Sequence, residues 1–138
     1  MRRVRFHDWP ERLAEFVEAR RNTPFEWGGN DCCTLAADAT VAITGADPFA
    51  AHRGRYSDEA GADQVVGSDG LPRFVERIMR EFGAEEVPVE GAQRGDWALV
   101  MAGNMPVVGV HIGKHVIAPG VRGLAFLPFR RAERAWGI

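Results

Sequence analysis

The chain has 138 residues, a formal net charge of −2 and a hydrophobic share of 46%, which supplies one packed core and leaves little room for a second. The near-neutral charge gives no electrostatic reason to expect nucleic acid or an anionic membrane as partner. Its two cysteines, Cys32 and Cys33, are neighbours, which excludes a disulfide-stapled scaffold.

No run approaches eighteen apolar residues, so no membrane insertion is expected. No apolar secretory segment follows Met1, Arg2 and Arg3, and a chain made without a cleaved signal is expected. The expected organisation is a single domain over 1–138.

A first helix opens behind Asp8, with Pro10 in its first turn and Glu11 placed as a capping-box partner. Trp9, Leu13, Phe16 and Val17 give it one apolar stripe, and His7 and Trp9 read as local packing. A second helix is predicted from Asn30 or Asp31 to Thr44, stopped by Gly45. Leu35, Ala36, Ala37, Ala39, Val41, Ala42 and Ile43 make it apolar on most sides, so it is central, with Asp38 marking an exposed strip.

Residues 46–70 read as a long loop bordering a functional cleft, with room for a short helix near Ser57 to Ala62. Asp69 and Pro72 introduce a further helix with Leu71, Phe74, Val75, Ile78 and Phe82 inward and Gly83 as its stop. After it come short extended runs: Val87 and Val89, then 97–101, 106–113, 115–118 and 124–128. The terminal Ala135, Trp136 and Ile138 are apolar enough to be tied down. Helices followed by strands predict an α+β domain whose helices cover one face of an antiparallel sheet.

Cys32 stands at the first turn of the second helix, where unpaired backbone donors and the helix field favour a thiolate. Trp27, Gly28 and Gly29 bring the chain tightly to that point, and Asp31 caps it while its charge opposes a low thiol pKa. Cys33 is expected to point elsewhere, as a small core residue. Both cysteines fit equally well as small apolar fillers.

Adjacent cysteines lack the spacing of a zinc site or a redox Cys-x-x-Cys pair, and no glycine-rich phosphate loop is present, so no cofactor or metal is expected. A thiol nucleophile needs a base, and His111 and His115, separated by a predicted turn at Gly113 and Lys114, are the candidates.

Phe25, Trp27, Gly28, Gly29, Asp31, Cys32 and Leu35, with the Gly95–Asp96 pair ahead of a strand, resemble the NlpC/P60 cysteine peptidases, relatives of the papain fold. The resemblance implies an NlpC/P60-like papain fold. It also implies Cys32 as the nucleophile that attacks an amide carbonyl of a peptidoglycan stem peptide, with Trp27, Gly28, Asp31, Asp96 and His115 in support.

The family's His-Val-Gly-Ile-aromatic-Ile-Gly run aligns in two registers. One places Val107 where the histidine is expected and Ala118 near the orienting polar position; the other makes His111 the base and puts Lys114 in an apolar position. The chain is also similar to small members of this superfamily encoded among phage and prophage tail genes. That likeness implies phage tail-tip proteins as partners, the host cytoplasm during assembly and then the virion tail as location. Two readings follow: a thiol hydrolase using Cys32 and His111, and a catalytically degenerate papain-fold protein acting as a structural or adaptor part of the tail tip.

Overall fold

The computed structural model describes residues 3–138, so the reading of a leaderless start at Met1 and Arg2 lies outside the described residues. Helix α1 (Trp9–Arg20) carries Pro10 in its first turn as expected. The expected capping box is not made: the Asp8 backbone is not extended, and its carboxylate instead accepts from Arg12 Nε at 2.7 Å.

Helix α2 (Cys32–Thr44) begins on a reciprocal cap. The Asp31 carboxylate accepts from the Thr34 N–H at 2.9 Å, and the Thr34 hydroxyl accepts from the Asp31 N–H at 2.8 Å. Gly45 ends it in the left-handed region, φ +79°, returning its N–H to the Val41 carbonyl. Leu35, Ala36, Ala37, Ala39, Thr40 and Ile43 are buried, and the buried Trp97 indole N–H donates to Thr40 Oγ1 at 2.8 Å. Asp38 does more than mark an exposed strip, because its carboxylate holds Arg20 of α1 and Arg53 of the following loop.

Within the long segment after α2, Asp58 caps a helix α3 (Glu59–Val66) by accepting from the Gly61 N–H at 2.8 Å. It lies a little beyond the expected 57–62 because Asp58 is the cap rather than part of the helix. Helix α4 (Gly70–Phe82) buries Phe74, Val75, Ile78 and Met79 and stops at Gly83, φ +88°.

Six antiparallel strands form an open sheet: β1 (Glu86–Val87), β2 (Trp97–Ala102), β3 (Met105–His111), β4 (His115–Pro119), β5 (Leu124–Pro128) and β6 (Ala132–Trp136), in the order β1-β6-β2-β3-β4-β5. The chain's end is tied down as expected, but by a strand not foreseen: β6 enters between β1 and β2 and pairs Trp136 with Trp97. Two expected strand positions change. Val89 falls in a short 3-10 turn, and β3 ends at His111.

The sheet's two faces differ. Leu99, Val108, Val110, Ile117 and Trp136 join residues of α2 and α4 in the main core. Ala98, Val100 and Val116 form a smaller cluster with Val107, Leu127, Phe129 and Ala132. Because side chains alternate along a strand, Val107, Gly109 and His111 belong to this second face of β3. Among the described residues no helix is long and apolar enough to cross a membrane.

Candidate functional site

The start of α2 opens into a cleft of about 790 Å³, a volume in the range of small-molecule and peptide pockets. Phe25 and Trp27 stand at one side, α3 contributes Ala62, Val65 and Val66, and the start of β3 contributes Met105, Pro106 and Val107. Cys32, Cys33, Phe49, Tyr56 and Phe74 also border it. The expectation that residues 46–70 border a cleft is met by Phe49, Tyr56 and α3.

One buried carboxylate organises the cleft's inner end. Asp31 is 3% exposed, and besides capping α2 it accepts from the Gly28 N–H at 3.0 Å and from the Tyr56 hydroxyl. A buried carboxylate is tolerated where its lone pairs are filled in this way. Burial and this bond hold the Tyr56 phenol protonated, its pKa pushed up from the ordinary tyrosine value. Gly28 is required by the same junction: its φ is +80°, and a Cβ there would run into the Tyr56 carbonyl oxygen. The loop before α2 and the loop before α3 are thus fastened face to face at one aspartate.

Cys32 is half-buried and Cys33 is 4% exposed and part of the main core. Cys33 is the small core residue expected, yet it does not point away from Cys32: both border the cleft, and the two thiols interact. Hydrogen bonding from the Cys33 thiol lowers the Cys32 pKa, the Val108 and Cys33 amides assist, and burial and the Asp31 charge oppose. The same contact, with burial, pushes the Cys33 thiol well up. Cys32 therefore carries the thiolate character of the pair.

Trp27, Gly28, Asp31 and Cys32 come together as one constellation. The other candidate residues lie elsewhere. His111, 7% exposed, stacks on Phe129 with ring centroids 3.9 Å apart on the sheet face away from α2. Its Nδ1 accepts from the Gly113 N–H at 3.0 Å, which assigns the proton to Nε2, and burial lowers its pKa so that the ring is neutral. His115 is exposed and packs edge-on to Phe126. None of the chain's four histidines borders the cleft.

Asp96 is fully buried and serves as a latch rather than a cleft group. Its carboxylate accepts from Arg5 Nη2 at 2.8 Å, from the Gln93 N–H at 2.8 Å and from the Ile138 N–H at 3.0 Å, joining both ends of the described chain to β2. Gly95 precedes it because φ is +92° and a Cβ would stand 2.8 Å from both Arg5 and Ile43. Ala118 is a buried β4 residue, and Val107 borders the cleft.

Tyr56 is the functional-site residue the sequence analysis passed over. Its signal was slight: it is the chain's only tyrosine, set in a glycine-rich, charged stretch. Among the described residues no group of three or more His, Cys, Asp or Glu side chains could hold a metal ion.

The family described as a domain of unknown function (DUF6950) matches residues 4–138, nearly the whole chain, and the chain belongs to it. No curated protein matches.

Proposed function

We propose that this DUF6950 member is a papain-like domain of the NlpC/P60 type whose cleft binds without hydrolysing, a structural or adaptor component of a phage tail tip. One observation carries the reading: Cys32 borders an apolar cleft that no histidine shares, while His111 is stacked on Phe129 on the far face of the sheet. A thiol hydrolase must deliver a proton to its leaving amine, and no imidazole borders the cleft to give one. The shape and apolar lining of the cleft suit recognition of a partner. Such a protein would work in the host cytoplasm during assembly and then in the virion tail.

The test is release of peptides from purified peptidoglycan by the intact chain and by Cys32→Ala. The expected result is no release by either. Release that disappears in Cys32→Ala would overturn the proposal.

The depressed Cys32 pKa favours a second reading, a cell-wall amide hydrolase. There the Cys32 sulfur attacks an amide carbonyl, the C–N bond breaks as the amine leaves with a proton, and water hydrolyses the thioester to return the thiol. The Cys32 N–H at the start of α2 would stabilise the oxyanion. His111 would serve as base only by leaving its stack on Phe129 and its bond to Gly113, so the reading requires β3 to rearrange. The same peptidoglycan assay decides between the two.

A further inference from the structure

The α3 wall of the cleft carries charge of one sign. The helix itself holds Glu59 and Asp63 and no lysine or arginine. Asp63 lies on the cleft border and is exposed. Among the described residues no lysine, arginine or histidine borders the cleft, and the other carboxylate there, Asp31, is already filled by Thr34, Gly28 and Tyr56.

The remaining walls are apolar and partly open to solvent: Trp27 is 37% exposed, Phe25 36% and Met105 68%. An occupant must match both features, apolar bulk against these side chains and positive charge against α3. An acidic peptide or a fatty acid meets only carboxylates there. We infer that the cleft takes a segment of a partner polypeptide that presents bulky apolar residues flanked by lysine or arginine. This inference rests on the binding reading proposed above and names its ligand.

Calorimetric titration of the intact chain with three synthetic peptides tests it. Two share a leucine-tryptophan-phenylalanine core and carry either paired lysines or paired glutamates at each end; the third keeps the lysines around a glycine-serine core. The lysine-flanked apolar peptide is expected to bind about tenfold more tightly than the glutamate-flanked one, the equivalent of several modest surface ion pairs. The gap should narrow as salt rises. Asp63→Lys, at an exposed position, should remove about threefold of that preference. Met105→Ser, also exposed, should weaken both apolar peptides alike.

Equal binding of the two apolar peptides, a preference for glutamate, binding of the glycine-serine peptide as tight as the rest, or no binding at all would overturn the inference. The peptidoglycan assay on the same preparation separates the two failures. Turnover lost in Cys32→Ala sinks the non-hydrolytic reading, whereas absent turnover with no lysine preference sinks only the ligand assignment.

Discussion

Cys32 and His111 are the two side chains best equipped for chemistry, and the sheet gives them opposite surroundings. Cys32 lies on the helix-covered side, at a junction where Asp31, Gly28 and Tyr56 fix the backbone and Cys33 polarises the sulfur. His111 lies on the other side, flat against Phe129, its Nδ1 already engaged and its charge suppressed by burial. The difference teaches that a thiol poised at a helix start and a histidine on the right strand do not make a pair. Pairing depends on strand parity, since β3 sends Val108 and Val110 toward α2 and His111 away from it.

The strongest way to break this contrast is at the Cys32 junction. Tyr56→Phe removes the hydroxyl that fills Asp31 and should destabilise the chain by about 1–3 kcal/mol in urea denaturation at neutral pH. The variant also tests a pH dependence. In the fold the phenol is held protonated, with its pKa above that of an unfolded tyrosine, which ionises near 10. The unfolded state loses its proton first, so the stability that protonated Tyr56 provides is full below about pH 10 and falls as pH rises beyond it. In Tyr56→Phe that alkaline decline should shrink.

A smaller effect is expected within the cysteine pair. Cys33→Ala removes the thiol that lowers the Cys32 pKa, and alkylation of Cys32 by iodoacetamide at neutral pH should slow about fivefold, the equivalent of one hydrogen bond of about 1 kcal/mol. An unchanged rate would mean that the helix start alone polarises the sulfur.

The smallest effect concerns the other face. Burial sets the folded pKa of His111 below 6.5, so the unfolded state takes up a proton first and stability falls as pH drops through the unfolded value near 6.5. His111→Phe, which keeps an aromatic ring on Phe129, should flatten part of that acid slope. His52 is shifted the same way by burial and should leave a residue of it. A slope unaltered in His111→Phe would show that His111 is not held neutral, and the contrast with Cys32 would weaken.

Local rules account for what was legible in the chain. The start and stop of α2, the inward face of α4 and five of the six strands follow from caps, glycine stops and hydrophobic period. Asp31 and Gly28 were recognisable beside Cys32 because their roles are fixed within a few residues of chain. β6 escaped notice because its Ala-Glu-Arg-Ala-Trp run alternates poorly and becomes a strand only between β1 and β2. Asp8 and Asp38 were misjudged because guanidinium partners, on the next helical turn for one and on other elements for the other, claim their carboxylates.

The sequence by itself determined an α+β chain with a thiol at a capped helix start, since capping, helix period and the left-handed glycines act over short range. Only the tertiary structure decided what faces that thiol. Tyr56 reaches Asp31 across twenty-five positions of chain, Asp96 is drawn to Arg5 and Ile138, and His111 is turned to the far face of the sheet. Those outcomes depend on which strands pair and in what register, and a shift of one residue along β3 exchanges the side chains that face the helices.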